Sequence, residues 1–509
     1  MEHNSIRANT SDRETRSAFL LALGIVAGVT IVRCAVLLLS PLDLYPDEAQ
    51  YWWWAQTPDL GYFSKPPLIA WIIRLTTALF GDSEWAIRLA SPLLHGATSL
   101  LVFGISRRAM SARLSLLGSA AYLTLPGVSW SCGLISTDVP LLFFWAAALC
   151  AFLRACEDRR WRWPILCGAA LGLGLESKYA MFYFLAGAGV AAWLSAPARR
   201  LVCSARGLLI VSIGLVLLAP NMVWNALHGF PTVAHTEANA EWGRSRFSIA
   251  ALAGFVLGQF GVFGPFLMAG LIGALWRLAR APRRAEAELV LSAFVVPPLL
   301  LIVVQSFVAG ANANWAATAF VAAAPLAVAE LARWWRGRPL IVSFAIDGAA
   351  MIALWIILVW PGTADVIGVG NAFKREEGWR ELGADVARAA RAAPYDSISA
   401  QNRSVVAELL YYARPRSVPI RMWTRDSVAR DHFAMTMRLK PPAARVLLAI
   451  EPIAAGRVLA TFDSARRVER LAIAVGGHRA RVIELYDAHD YRDPQPARAV
   501  TPVSPPRDL

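Results

Sequence analysis

Charge is scarce in this chain. Of its 509 residues only 17% are Asp, Glu, Lys or Arg, whereas 57% are hydrophobic, and the mean hydropathy is +0.46. Such a balance excludes an ordinary soluble enzyme and leaves a multi-span membrane protein, with the bilayer as main solvent. Lysine is scarcer still: Lys65, Lys178, Lys374 and Lys440 are the only examples, and arginine supplies the rest of the positive charge. Cysteine is limited to Cys34, Cys132, Cys150, Cys156, Cys167 and Cys203, with no CxxC pair and none beyond 203, so neither a metal knuckle nor a disulfide framework is indicated. There is no Walker loop and no GxGxxG between a strand and a helix, which leaves nucleotide hydrolysis and nicotinamide binding without support.

What is present in quantity is apolar sequence. Runs long enough to cross a hydrocarbon core, roughly 17 to 25 residues each, recur from Ser17 to Trp360 and then stop. They predict about eleven spans: 17–40, 85–106, 113–131, 138–154, 164–176, 178–195, 207–225, 249–277, 287–308, 315–332 and 340–361. The first run is read as a retained helix that directs insertion, since its apolar core is too long for a signal peptide and lacks a clear small-residue cleavage site.

A net charge of +14 would suit nucleic acid. The arginines cluster instead in short turns between apolar runs: Arg107/Arg108/Arg113, Arg154/Arg159/Arg160/Arg162, Arg199/Arg200/Arg206, Arg277/Arg280/Arg283/Arg284 and Arg333/Arg336/Arg338, together with Arg7/Arg13/Arg16. That is the positive-inside pattern, which assigns residues 1–16 and these turns to the cytoplasm. The opposite connections, 41–84, 129–137, 176–178, 221–248 and 306–314, are richer in Asp, Glu, Asn, His, Trp and Pro and form the outer face. An odd span count sends everything after about residue 362 outward as well. Residues 17–361 thus read as a helical membrane domain with a first outer loop at 41–84, and 371–490 as a small α/β domain. Helices are expected near 378–392 and 405–412, and strands at 396–400, 445–450 and 480–486. The tail 491–509, rich in Pro and Arg, reads as disordered.

The outer face concentrates the residues that could carry chemistry. Asp47 and Glu48 follow Pro46 at the start of a helix, where negative charge suits the macrodipole. Tyr51, Trp52, Trp53 and Trp54 on that helix suggest that it lies flat in the headgroup layer. There a carboxylate could take a proton from an acceptor hydroxyl; the bland alternative is an ordinary helix start. Lys65, before the stiff Pro66-Pro67 pair, suits a phosphate oxygen as a compact point charge, or snorkels at a helix end. Lys178 sits in a tight outer turn beside Glu176. Asp138 opens the fourth span and shares the outer face with Asp47, although Thr137-Asp138 is also a plain N-cap signal. Arg88 could assist Lys65 or anchor its helix, and Arg33 lies within an apolar run, where an ionisable group has a partner or a task. Asn221, Asn225, His228, His235, Glu237 and Glu241 form a loop over a cleft rather than a metal site, because their spacing matches no ligand pattern. Asn312, Asn314 and Trp315 could hydrogen-bond a sugar or end a helix.

Several of these segments, in this order and spacing over roughly residues 18–330, carry a resemblance: Pro46-Asp47-Glu48-Ala49-Gln50-Tyr51-Trp52, Gly61-Tyr62-Phe63-Ser64-Lys65-Pro66-Pro67-Leu68, Gly81-Asp82-Ser83-Glu84-Trp85-Ala86-Ile87-Arg88-Leu89, Ser136-Thr137-Asp138-Val139-Pro140-Leu141, Glu176-Ser177-Lys178-Tyr179 and Asn221-Met222-Val223-Trp224-Asn225. The chain resembles the polyprenyl-phosphate-sugar-dependent membrane glycosyltransferases of the GT-C type. Within them it is similar to the bacterial RgtA/B/C/D-like and aminoarabinose-lipid A transferases, related to dolichyl-phosphate-mannose-protein mannosyltransferases.

The resemblance implies a polyprenyl-phosphate sugar donor, an active site at the outer face of a bacterial inner membrane, and inverting transfer to a glycolipid or protein hydroxyl. Asp47 then matches the catalytic acidic residue and Lys65 the phosphate-contacting lysine, with Arg88 as a second phosphate group and Glu48, Tyr51, Asp138 and Lys178 in support. No cofactor is obligatory on this reading. The absence of a DxD-type motif from the membrane half agrees with a donor that is not a nucleotide sugar. Some lipid A relatives carry an acidic residue where Ser64 stands, so a metal at that position is not expected. A transporter or lipid flippase is the alternative, but paired, interrupted spans in two related halves are not found. A scaffold protein would leave the gathering of Asp47, Lys65 and Asp138 on one face as accident.

Overall fold

A computed structural model describes the backbone of residues 2–240, 247–281, 286–426, 428–477 and 479–493, with side chains described from Asp12 onward. Glu241, Arg283 and Arg284, and most of the 491–509 tail therefore lie outside the described residues. The chain divides into two compact units: one comprises residues 1–41 and 54–361, the other residues 42–53 and 362–509.

The first unit is helical throughout. Among the described residues six helices are long and apolar enough to cross a membrane, Asp12–Leu39, Glu84–Ser106, Asp138–Glu157, Ala205–Leu227, Glu286–Ala309 and Thr318–Val359. The pair Ile249–Phe263 and Pro265–Arg280 makes a seventh if taken as one span, but it is bent by 108°. The single helix expected over 249–277 is therefore broken. Its break falls at Gly264, whose φ of +88° a side chain rarely adopts, followed by Pro265 at the first position of the next helix. Thr318–Val359 covers 42 residues, about 63 Å of helix at 1.5 Å per residue, twice a hydrocarbon core. It is interrupted at Trp334–Gly337, where Trp335 and Arg336 take positive φ. Other expected spans are short helices, Ala112–Thr124, Arg162–Ser177 and Tyr183–Leu194.

The core of this unit holds a nest of rings. Phe184 lies 5.4 Å from Trp145 and 4.9 Å from Phe294, and Phe152 packs 5.3 Å from Phe294. Each such pair adds about 0.5–1.5 kcal/mol beyond its buried area. Toward the basic ends of the helices, Arg277 and Arg333 both pair with Glu288 and Glu330. The intramembrane Arg33 is buried and donates from Nη2 to the Leu123 carbonyl at 2.6 Å and to Ser129 Oγ at 3.3 Å.

In the second unit five strands, β1 (Ser397–Ala400), β2 (Ile420–Met422), β3 (Arg445–Ile450), β4 (Phe462–Val475) and β5 (Arg479–Tyr491), form one sheet in the order β2-β1-β3-β5-β4. The β1–β2 and β1–β3 pairs are parallel, and β3–β5 and β4–β5 antiparallel. The three expected strands and both expected helices, Trp379–Arg391 and Arg403–Tyr412, are present. β4 escaped notice because most of its residues are exposed on both faces, which removes the apolar alternation that marks a strand.

Residues 42–53 are stitched into this unit. Asp43 Oδ2 accepts from the backbone N–H groups of Trp379 at 2.8 Å and Arg380 at 3.2 Å, satisfying open donors at the start of Trp379–Arg391. Tyr412 Oη accepts from the Leu44 N–H at 2.7 Å. Trp52 meets Tyr411 edge-on at 4.9 Å, and the Arg414 guanidinium lies 4.5 Å from the Trp52 ring. Tyr51, Trp52 and Trp54 of the aromatic helix are buried.

Candidate active site

In the helical unit the recognisable segments meet through hydrogen bonds. The turn after helix Arg162–Ser177 brings Lys178 to the start of Asp138–Glu157. There its Nζ donates to Asp138 Oδ1 at 2.7 Å, while the other carboxylate oxygen accepts from Asn314 Nδ2 at 2.7 Å. The side chains of this pair are only 23% and 13% exposed, so most of their charge is balanced inside the protein. Thr137 makes no capping bond to the helix it precedes. Asp138 thus holds Lys178 and Asn314 at the start of its helix. Glu176, two residues before Lys178, is buried with one carboxylate oxygen unpartnered among the described residues.

The next residue carries the network onward. Tyr179 Oη donates to Asn221 Oδ1 at 2.6 Å, and Asn221 Nδ2 donates to the Leu60 carbonyl at 2.8 Å. Trp224 Nε1 donates to Asp59 Oδ2 at 2.8 Å, and Thr232 Oγ1 to the Tyr62 carbonyl at 2.7 Å. Asn225 Oδ1 accepts from the Thr232 N–H at 3.1 Å. The loop 59–65 is therefore held at both flanks by the helix Ala205–Leu227 and the start of Pro231–Ala240. Inside the loop, Tyr62 stacks on Trp54 at 4.4 Å and donates to the Trp54 carbonyl at 3.1 Å. Burial pushes the Tyr62 phenol up to about 12. The Lys65 carbonyl accepts from the Tyr62 N–H at 3.2 Å, closing the turn that presents the half-buried Lys65 side chain immediately before Pro66-Pro67.

Gly61 is required by contact, since a Cβ there would lie 2.4 Å from Trp224 Cε3 and 2.8 Å from Asn221 Nδ2. Arg88 ends the short helix Glu84–Arg88 and is fully buried. His228 and His235 are turned to local partners: His228 stacks on Trp224 at 4.2 Å, and His235 Nε2 meets Asn239 Nδ2 at 3.0 Å. Among the described residues no group of three His, Cys, Asp or Glu side chains could hold a metal ion.

Asp47, Glu48 and Tyr51 belong to the second unit. Glu48 is a helix cap. Its Oε2 accepts from the Tyr45 N–H at 2.8 Å, the return half of a capping box, and the side chain is buried. Asp47 Oδ1 instead accepts from Arg403 Nη1 at 2.8 Å, and the same nitrogen reaches Gln50 Oε1 at 2.8 Å. Asp47 Oδ2 accepts no hydrogen bond among the described residues. Burial works against the Arg403 charge, but Asp47, with Tyr51 and Asp431, more than offsets it and holds the guanidinium protonated beyond its usual range. One oxygen of Asp47 is thus anchored and the other open, which is the arrangement a positioned proton acceptor needs.

Arg403 was missed in the sequence. A signal existed: it opens the helix Arg403–Tyr412, where a cation opposes the macrodipole, and such a residue calls for a counter-charge elsewhere. Asn314 was a candidate sugar ligand, and Tyr179 and Trp224 lie in the segments that carry the resemblance, whereas Asp59 gave no comparable signal.

Residues 64–224 match the family described as dolichyl-phosphate-mannose-protein mannosyltransferase. The chain is 37% identical over 399 residues to the lipid A galacturonosyltransferase RgtD of Rhizobium johnstonii, covering 78% of this chain and 83% of that protein. It is 31% identical over 136 residues, 26% of this chain and 25% of the relative, to an undecaprenyl phosphate-alpha-4-amino-4-deoxy-L-arabinose arabinosyl transferase of Pseudomonas fluorescens. Among solved structures, that of ArnT from Cupriavidus metallidurans bound to undecaprenyl phosphate superposes with a TM-score of 0.64 at 18% identity, covering 91% of this chain and 97% of the other. At that identity the likeness shows the fold.

Proposed function

The chain belongs to the bacterial GT-C membrane glycosyltransferases, and from that premise we propose that it moves a sugar from a polyprenyl-phosphate donor to a hydroxyl of a lipid A-like glycolipid. Membership makes it a multi-pass membrane enzyme. The finer topology is our own reading: eleven spans, residues 1–16 in the cytoplasm, and loop 41–84 with the α/β domain 371–490 outside a bacterial inner membrane. In this reading short helices such as Ala112–Thr124 and Tyr183–Leu194 are taken as spans beyond those counted by length. The basic turns supply the orientation.

The observation that carries the chemistry is the joining of the loop before Pro66-Pro67 to Asp138 by way of Asn221, Tyr179 and Lys178. It supports a fixed cationic site, held on rigid helices, for the donor phosphate. In the proposed reaction the acceptor oxygen attacks the anomeric carbon from the face opposite the phosphate, and the bond from that carbon to the phosphate oxygen breaks. Configuration inverts, and the acceptor proton passes to Asp47. The electron pair leaves with the lipid phosphate, whose charge Lys65 stabilises with Arg88 as second group. Lys178, fixed by Asp138, adds positive field, and Tyr51 supports the helix that bears Asp47. Because a phosphate monoester is a competent leaving group, no general acid is assigned and no cofactor is obligatory.

Asp47→Asn tests this assignment. Membranes containing the variant, incubated with labelled polyprenyl-phosphate sugar and lipid A, should yield no labelled glycolipid on thin-layer analysis, with protein abundance unchanged. Transfer at the wild-type rate removes Asp47 from the mechanism.

A further inference from the structure

The second unit contains a cavity of about 670 Å³ at the β2 edge of its sheet, lined by Asp396, Ser397, Arg421, Asp426, Arg438 and Lys440 among others. Its walls are the starts of β1 and β2 and the segment 437–439, which pairs with β2 through Met422 N–H to the Met437 carbonyl at 2.9 Å and Leu439 N–H to the Met422 carbonyl at 2.8 Å. The volume lies within the roughly 300–1,000 Å³ of small-molecule sites.

The polar groups around it are unevenly satisfied. Arg438 donates to the Asp426 carbonyl at 3.0 Å and to Asp493 at 2.9 Å, and Asp426 is paired with Arg430 at 2.6 Å. By contrast, the Arg421 guanidinium and the Lys440 ammonium have no partner among the described residues. Ser397, only 4% exposed, has an Oγ without a hydrogen bond among the described residues. Its neighbour on β1, Ser399, satisfies its hydroxyl on the Arg421 carbonyl at 3.2 Å, so the vacancy is particular to the residue lining the cavity. A buried hydroxyl left unmatched costs about 1–3 kcal/mol. Asp396 Oδ2 accepts from the Arg445 N–H at 2.9 Å. Lys440 is also one of only four lysines in a chain that otherwise uses arginine.

We propose that this cavity binds an anionic saccharide, with Arg421 and Lys440 on the acidic group and Ser397 and Asp396 on the sugar hydroxyls. Two unengaged cations call for a carboxylate or phosphate. A hydroxyl and a carboxylate beside them call for a polyol, which inorganic phosphate alone would not supply. The site deepens the glycosyltransferase reading and rests on it only for the origin of the sugar, either a free sugar phosphate or the phosphorylated headgroup of a glycolipid acceptor.

The test is titration of the full-length protein in nanodiscs with glucosamine 1-phosphate, and separately with lipid A doped into the discs. The Arg421→Ala/Lys440→Ala variant should bind at least tenfold more weakly. The Arg421→Lys/Lys440→Arg variant, which controls for folding, should retain binding, and uncharged N-acetylglucosamine should compete at least tenfold less well. Binding confined to lipid A identifies a headgroup, and binding of both probes a free or shared source. Asp47→Asn should bind normally while failing to transfer, so loss of the transfer assignment and loss of this site are read separately. Equal affinity of wild type and the alanine variant, equal affinity for the neutral sugar, or no binding of either probe overturns the proposal.

Discussion

Gly61→Ala isolates the hinge between sequence and site, because it adds one methyl group and alters no charge. The new carbon would stand 2.4 Å from Trp224 Cε3, 2.6 Å from Cδ2 and 2.8 Å from Asn221 Nδ2, whereas carbon atoms rest about 3.5–4.0 Å apart. The loop must therefore retreat by about 1 Å. Trp224 cannot yield easily, since its Nε1 is fixed on Asp59 and its ring stacks on His228. Overpacking of this kind costs about 1–3 kcal/mol, and loss of the Asn221 bond to the Leu60 carbonyl adds about 1 kcal/mol. Lys65 lies four residues away in the same turn, and a misplacement of about 1 Å at a reacting group costs on the order of 100-fold in rate. Steady-state transfer in nanodiscs should then show kcat/KM lowered on the order of 100-fold, with the protein still folded by thermal scan. Trp224→Leu in the same chain should restore part of the loss, and the double-mutant cycle should give a coupling of about 0.5–3 kcal/mol. Wild-type kinetics in Gly61→Ala would falsify the claim that this contact sets the loop.

Two other tests address stability. Lys178→Met strands the Asp138 carboxylate, only 13% exposed, and should destabilise by about 3–5 kcal/mol, while Asp138→Asn/Lys178→Met should be less damaging than either single change. Fluorescence-detected unfolding decides this, and a Lys178→Met protein as stable as wild type refutes the buried pair. Tyr62 gives a pH dependence. Its folded pKa of about 12 exceeds the unfolded value near 10, so above pH ~10 the unfolded chain releases a proton that the native chain retains. Stability falls between roughly pH 10 and 12 and then levels, by about 2–3 kcal/mol at 1.36 kcal/mol per pKa unit. Tyr62→Phe should lack that component in melts across this range, and an unchanged alkaline slope counts against it.

The sequence made single residues legible where a local rule was broken. Asp47 and Lys65 stood out as charges at the edge of apolar runs, and Lys178 as a lysine among arginines. Partners were not legible, because Asp138 and Lys178 are 40 residues apart and Asp47 and Arg403 are 356 apart, and one sequence carries no register between distant segments. Glu48 shows the converse case. Its nearness to Asp47 suggested shared chemistry, but three-residue helical spacing turns it back to the Tyr45 N–H as a cap. The bend at Gly264 was hidden because both flanking segments are apolar and hydropathy windows see through a break. β4 was hidden because its exposure erased the period on which a strand is recognised.

The Asp47–Arg403 pair bears on how the α/β unit enters catalysis. A carboxylate tied to a guanidinium through one oxygen keeps a fixed orientation, and its remaining oxygen is free to meet a hydroxyl. Under the proposed displacement this suffices. As the bond from the acceptor oxygen to the anomeric carbon forms, that oxygen becomes positive and its proton strongly acidic, so a positioned acceptor matters more than a strongly basic one. The side chains of Arg403 and Asp47 are 33% and 40% exposed, so solvent screening keeps the pair's direct contribution to stability small. Orientation is then the larger service of Arg403, and it comes from a helix of the α/β unit. On this reading Asp47 and the group that orients it belong to the same folding unit, residues 42–53 and 362–509.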